Sequence, residues 1–132
     1  MALVAQEGQP IALCLHSAAP HETTLTFDLV QECVTQELPE RVIGDAGFDS
    51  DPLDACFDEI GIEFIAPHRK NRVNKTQDDR VLRRAKRRWK VERFFAHVQN
   101  FRRMVVRYER KSANYLGMLY MIATIILVRD CF

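Results

Sequence analysis

Short apolar runs separated by turn residues dominate the start of the chain. Residues 2–5 and 11–16 are apolar, and the segment between them contains Gly8 and Pro10. Two such runs joined by a short turn predict a β-hairpin. Residues 23–36 then place apolar side chains at the three-to-four-residue spacing of an amphipathic helix.

Residues 41–66 follow a strand–helix–strand pattern. Arg41–Asp45 is a short apolar stretch that ends on an acid. Asp51, which precedes a proline, is typical of a helix cap, and Gly61 is typical of a helix end. Residues 62–66 alternate and predict a second strand. Such a unit requires a parallel strand pair joined by a crossover helix.

The second half of the chain predicts two helices after a polar loop over residues 67–79. We expect a long helix from roughly Arg80 to Arg103 and a last helix from about Ser112 to Val128. The apolar run Tyr115–Val128 has 14 residues. This is short of the ~20 that a membrane span needs, so it predicts a buried core helix. The order β-β-α-β-α-β-α-α predicts an α/β domain: a mixed sheet with an antiparallel hairpin on one side and helices packed over it.

Composition changes this picture little. The 132 residues fit one domain with a hydrophobic core. The four cysteines are widely spaced, with no CxxC and no cysteine–histidine cluster at zinc spacing, which favours buried free thiols. The four histidines show no metal-binding spacing either.

The charge distribution is more informative than the net charge of +1. Residues 1–66 contain one Lys/Arg and 13 Asp/Glu, a formal charge of −12. Residues 67–132 contain 18 Lys/Arg and five Asp/Glu, a formal charge of +13. Either the basic half docks on a polyanion, or the two halves neutralise each other in the fold.

Two acids are candidates for chemistry. Asp45 ends a predicted central strand, and ligands of open α/β sheets bind beyond the carboxyl ends of the strands. Glu92 lies in the most basic helix, one turn after Arg88. It is either one half of an i,i+4 ion pair or a metal ligand beside a phosphate. We interpret Asp49 as a turn residue and Asp51 as the helix cap.

The stretch from Arg69 to Lys111 holds 17 Lys/Arg against four acids, with aromatic residues interleaved. Phosphate contacts supply most non-specific affinity for nucleic acids, so this pattern favours DNA binding over a merely solvated face. The candidate DNA-binding residues are Arg84, Arg87, Arg88, Arg93, Arg102 and Arg103.

Two segments resemble a known family. Val42–Asp51 resembles the "GD+(G/A)YDSD" strand-end motif of bacterial insertion-sequence transposases of the DDE type. Arg87–Phe95, continued by Gln99–Arg103, resembles their "RRRWKVERFFAWLKNFRR" helix. Further matches follow the family's order: Gly61–Glu63, Pro67–Arg72, Tyr108–Arg110 and Asn114–Leu116.

The resemblance implies a ribonuclease-H-like fold and a metal centre. In this family two divalent ions, usually Mg²⁺ with Mn²⁺ as the alternative, are held by two Asp and one Glu. Asp45 matches the second Asp and Glu92 matches the Glu. Of the signature Y-x2-R-x3-E-x6-K, Arg88 matches the Arg, whereas Ala85 replaces the Tyr and Gln99 replaces the Lys.

The family's first catalytic Asp lies on a strand upstream of the hairpin, and no residue here matches it. The resemblance therefore implies that residues 1–132 are a single, N-terminally truncated catalytic domain whose first strand is missing. We expect a transposase fragment that is inactive in DNA cleavage and strand transfer when alone.

The resemblance also implies partners. These are DNA with insertion-sequence terminal repeats, and either a second copy or an upstream transposase fragment, in the cytoplasm at the nucleoid. The alternatives are a non-catalytic DNA-binding remnant and an unrelated basic α/β nucleic-acid-binding domain.

Overall fold

The computed structural model describes residues 1–17, 19–35, 37–73 and 86–131. Two 3₁₀ turns, Ala46–Phe48 and Lys86–Arg88, accompany the regular elements. Those elements, in chain order, are β1 (Ala2–Val4), β2 (Pro10–Leu13), α1 (Glu22–Gln31), β3 (Arg41–Ile43), α2 (Asp51–Glu59), β4 (Glu63–Ile65), α3 (Trp89–Gln99), α4 (Arg102–Val105) and α5 (Ser112–Cys131).

The predicted hairpin is confirmed. β1 and β2 are antiparallel, with Ala2 opposite Leu13 and a register shift after Leu3. Gly8 in the connecting turn has a φ of 97°, a conformation that glycine adopts without steric cost. β2 ends three residues before the predicted end at His16.

The predicted parallel unit is also confirmed. β3 pairs with β4 in parallel, with Val42 opposite Phe64, and α2 forms the crossover. Gly61 ends α2 with a φ of 75°. The cap prediction was wrong by one position, because Ser50 has the extended cap conformation and Asp51 already belongs to the helix.

The chain is α/β as predicted, but the strands of the described residues form two separate two-stranded sheets instead of one mixed sheet. Apolar packing connects these sheets. Leu3 of β1 packs against the cluster that contains Val42 and Phe64, and also against the cluster that contains Ala12 and Leu29.

The predicted long helix is interrupted. α3 ends at Gln99, and Phe101 is extended, with φ −91° and ψ 114°, before the short helix α4 begins. Phe101 packs against the largest core cluster and Met104 is buried in it. A continuous helix would already place Phe101, seven residues after Phe94, on the buried face, but it would turn Met104 away from that face. The turn therefore brings Met104 into the core. The predicted helix start, residues 80–85, lies outside the described residues.

α5 completes the core with one face. Leu119, Ile122, Ala123 and Ile126 are buried against Phe94 and Val98 of α3. The opposite face, which includes Met121, Ile125 and Val128, is exposed. By length and composition α5 is apolar enough to cross a membrane, and 22% of its apolar window is buried. The predicted core helix is therefore buried on one side only.

Candidate carboxylate site and nucleic-acid interface

Asp45 lies where the sequence predicts it, just beyond the carboxyl end of β3. Its side chain caps the 3₁₀ turn Ala46–Phe48, because Oδ1 accepts a hydrogen bond of 2.7 Å from the Gly47 N–H. Asp45 is exposed. One carboxylate oxygen is therefore held by the backbone in a side chain that solvent or a ligand can reach.

Gly47 is required for this arrangement. A Cβ atom at Gly47 would lie 2.8 Å from Oδ1 of Asp45, closer than two non-bonded atoms approach each other. The turn thus accepts the Asp45 carboxylate in its observed position only when residue 47 has no side chain.

Asp49 has the opposite environment. Its side chain is 3% exposed and accepts hydrogen bonds from the His68 ring at 3.0 Å, from the Arg69 N–H at 2.8 Å, and from the Arg72 guanidinium. The Arg72 guanidinium also bonds Asp51. Asp49 is in a turn, as predicted, but its carboxylate joins the loops that follow β3 and β4.

The surroundings of Asp49 set its protonation. Burial would raise the pKa of Asp49, but the hydrogen bonds from Arg69 and His68 and the charge of Arg72 together hold that pKa below its ordinary value. Asp54, one helical turn into α2, shows the reverse. Burial, followed by the charges of Asp51 and Asp49, raises the pKa of Asp54. Asp54 Oδ1 is buried without a hydrogen-bond partner.

Sequence reasoning did not identify His68, Arg69 and Arg72 as partners of Asp49. The signal was present in the basic segment Pro67–Arg72, directly after β4, and in the acids directly after β3. Because parallel strands end at the same edge of a sheet, such segments meet in space.

Glu92 lies in the first turn of α3. Its side chain is 64% exposed, and Oε1 is 3.4 Å from Nε of Arg88. The predicted i,i+4 ion pair is therefore present. At this exposure it contributes little, about 0.3–0.5 kcal/mol, so it does not hold the Glu92 carboxylate firmly.

The donor chemistry of the two candidate ligands fits a hard divalent cation, which prefers carboxylate oxygens. Asp45 and Glu92 are both exposed carboxylates. Two carboxylates are fewer than the three ligands expected for the family's metal site. The described part of the chain contains no group of three or more His, Cys, Asp or Glu side chains that could hold a metal ion.

The predicted DNA-binding arginines lie on α3, α4 and the turn before them. Arg87, Arg88, Arg93, Arg102 and Arg103 are all exposed, and Arg84 lies outside the described residues. The Arg93 guanidinium stacks on Trp89, with 4.2 Å to the ring centroid. Arg103 lines a surface groove of about 440 Å³ together with Tyr108 and Glu109.

Arg69 and Arg72 differ from these arginines, because their guanidinium groups are bound within the fold. Arg72 bonds two carboxylates, and the Arg69 side chain donates to the carbonyl oxygens of Ala46 and Gly47. Part of the basic half thus binds the acidic half. Among the residues that the structure describes, Arg87, Arg93, Arg102 and Arg103 form no ion pair with an acid.

This combination of a strand-end carboxylate, a parallel βαβ unit and several exposed arginines agrees with a comparison to protein families. The model of the transposase DDE domain matches residues 1–127. The chain belongs to the transposase DDE domain family, whose substrate is DNA and whose members typically use divalent metal ions. Comparisons with curated proteins and with solved structures each return no match.

Proposed function

We propose that this chain binds DNA through the exposed arginines of α3, α4 and the turn before them, and contributes Asp45 and Glu92 to the metal site of a transposase. The observation that supports this most directly is the set of exposed arginines on these elements in a member of a DNA-processing family. Exposed guanidinium groups provide the phosphate contacts that dominate DNA affinity.

The carboxylate pair defines the catalytic part of the proposal. Divalent ions in such a site activate a water or a 3′-hydroxyl and stabilise the leaving oxygen at a DNA phosphate. Asp45 offers a carboxylate oriented by the Gly47 N–H, and Glu92 offers an exposed carboxylate one helical turn after Arg88. In the ribonuclease-H-like arrangement that we propose, the third carboxylate is the family's first Asp, which no residue of this sequence matches.

The chain alone is therefore expected to bind DNA without cutting it. The test is incubation of the purified protein with Mg²⁺ or Mn²⁺ and a supercoiled plasmid that carries candidate terminal repeats. We expect retained, salt-sensitive binding and no nicking. Nicking that is lost in Asp45→Ala and Glu92→Ala, but kept in the exposed-acid controls Asp58→Ala and Glu59→Ala, would contradict the expected inactivity and establish the two carboxylates as catalytic.

A second candidate function is a DNA-binding protein without chemistry of its own. It is favoured by the absence of a three-ligand group among the described residues. Adding an upstream transposase segment that carries an Asp separates the two functions. Restored nicking supports the catalytic proposal, whereas binding without nicking supports the second. Equal affinity for heparin and for DNA would contradict both.

A further inference from the structure

We propose that Asp49 and Arg69 are positioning residues for Asp45, and that they keep the Asp45 carboxylate in the orientation in which it binds metal. This inference rests on the proposed metal-binding role of Asp45. It concerns residues that do not themselves touch the metal, and it depends on a closed ring of hydrogen bonds between the loops that follow β3 and β4.

The first part of the ring anchors the second loop. The buried Asp49 carboxylate accepts from the backbone N–H of Arg69 and from the side chains of His68 and Arg72. Because three groups donate to this one carboxylate, residues 68–72 are fixed against the end of β3. The Arg69 backbone is therefore in a set position relative to the turn that carries Asp45.

The second part of the ring returns to that turn. From its anchored backbone, Arg69 donates Nε to the Ala46 carbonyl at 3.1 Å and Nη2 to the Gly47 carbonyl at 2.7 Å. Two donors of one planar guanidinium hold two successive carbonyls. This fixes the orientation of the two peptide units that contain them, of which the first joins Ala46 to Gly47. A lysine ammonium, a single point charge on a flexible stem, does not reproduce this arrangement.

The ring closes at Asp45. The peptide unit held by Arg69 joins Ala46 to Gly47 and contains the Gly47 N–H, which donates to Asp45 Oδ1. Rotation of that peptide unit would withdraw the donor from the carboxylate. Arg69 thus acts on Asp45 through one backbone hydrogen bond. In metal sites, residues that do not touch the metal orient its ligands in a similar way.

The substitution Arg69→Ala tests the inference, with Lys70→Ala as the matched control. Both positions are exposed and adjacent, and both substitutions remove one positive charge. The probe is Mn²⁺, titrated while paramagnetic broadening of the Gly47 amide signal is followed by NMR. We expect Arg69→Ala to weaken Mn²⁺ binding by about 10-fold, the lower end for residues that orient a metal ligand. Lys70→Ala should bind Mn²⁺ like the parent chain.

Two further variants separate geometry from charge and from folding. Arg69→Lys keeps the charge but not the planar fork, so we expect it to resemble Arg69→Ala. Asp49→Asn keeps one acceptor oxygen but removes the charge, and we expect faster hydrogen exchange at the Gly47 amide. If Asp49→Asn does not fold, the exposed Arg69 variants still decide the question, with melting curves to confirm that they are folded.

The outcomes distinguish this inference from the proposed function. If Mn²⁺ does not broaden the Gly47 signal either in the parent chain or after addition of the upstream transposase segment that carries an Asp, the metal-binding role of Asp45 is wrong and the inference is wrong with it. If the parent chain binds Mn²⁺ and Arg69→Ala binds it equally well, only the positioning role is overturned. Faster exchange at Gly47 with unchanged Mn²⁺ affinity would show that the ring only stabilises the loops.

Discussion

Two aspartates four residues apart, Asp45 and Asp49, have different tasks because their surroundings differ. Asp45 is exposed and accepts one backbone hydrogen bond, whereas Asp49 is buried among three donors. Because the folded-state pKa of Asp49 is lowered, its stabilising contribution is present above the ordinary carboxyl pKa of about 3.9 and is lost as the pH falls through the lower folded value.

The substitution Gly47→Ala is predicted to displace the Asp45 carboxylate with little loss of stability. The new Cβ would lie 2.8 Å from Oδ1, the end of a flexible, exposed side chain that can rotate away. We expect a melting temperature within about 2 °C of the parent, and Mn²⁺ binding reduced about as much as in Asp45→Ala. Thermal melts and Mn²⁺ titration measure the two effects.

The matched control for Gly47→Ala is Gly44→Ala. A Cβ there would lie 3.1 Å from the Phe64 ring and 3.2 Å from Cβ of Phe48, so it must displace core side chains. Gly44→Ala should therefore lower the melting temperature. A larger loss of stability in Gly47→Ala than in Gly44→Ala would contradict this account of the turn.

Asp54→Asn is predicted to stabilise the protein at neutral pH. The raised pKa of Asp54 means that the fold disfavours its charged form, so the cost is absent below the ordinary carboxyl pKa and complete above the raised value. We expect a melting temperature about 1–3 °C above the parent at pH ~7, and no difference below pH ~3.9. Melts at both pH values are the measurement. The exposed Glu59→Gln is the control, because the charge of Asp58 itself helps to raise the pKa of Asp54. A gain that persists in acid would have another cause.

At the scale of elements, α3 illustrates how one helix serves both the core and the surface. Phe94 and Val98 are buried against α5, whereas Arg88, Glu92 and Arg93 face solvent. The apolar residues recur at the spacing that places them on one face of a helix. The same helix therefore binds the core and presents cations outward.

Two adjacent phenylalanines of α3 provide a matched pair of substitutions. Phe94 is 2% exposed in the core, whereas Phe95 is 38% exposed and contacts the Phe94 ring with centroids 5.4 Å apart. Phe94→Ala should lower the free energy of unfolding by about 3–5 kcal/mol through cavity formation. Phe95→Ala should lower it by roughly half as much, because a large part of the Phe95 ring is already exposed to water. Urea unfolding compares them, and equal losses would contradict the helix orientation.

The elements show which sequence signals were sufficient. The hairpin and the parallel pair follow from apolar runs separated by turn residues, since these patterns are local. The end of α3 was predicted four residues too late, because residues 100–103 have no proline or glycine that would stop a helix. The core packing of Met104 favours the break there, and such tertiary contacts are not visible in local periodicity.

For the whole molecule, the separation of charge along the chain leaves a basic surface in the fold. Among the described residues, His68, Arg69 and Arg72 donate the hydrogen bonds from the basic half to acids of the first half, and the arginines of α3 and α4 remain exposed. Of the two alternatives that the charge pattern left open, neutralisation therefore accounts for one loop. The exposed arginines remain available for a polyanion.

DNA affinity is predicted to depend on salt through this surface. Each phosphate contact contributes about 0.9 to the slope of log Kd against log[salt]. Arg87→Ala should reduce that slope by about 1 and weaken binding for all sequences alike. Arg129→Ala, the same charge change at the exposed end of α5, should leave the slope unchanged. Fluorescence anisotropy between about 50 and 200 mM salt measures both. Equal slopes for parent and Arg87→Ala would place the DNA elsewhere.

The sequence by itself determined the order of the elements, the parallel βαβ unit, the position of Asp45 at a strand end and the basic character of α3. These depend on local periodicity, on turn residues and on motifs that are contiguous in the chain. Only the tertiary structure decided that the strands form two separate sheets, that α3 stops at Gln99, and that Asp49 is buried by residues about 20 positions later. The physical reason is that burial and hydrogen-bond partners arise from contacts between distant segments, and those contacts separate the exposed Asp45 from the enclosed Asp49.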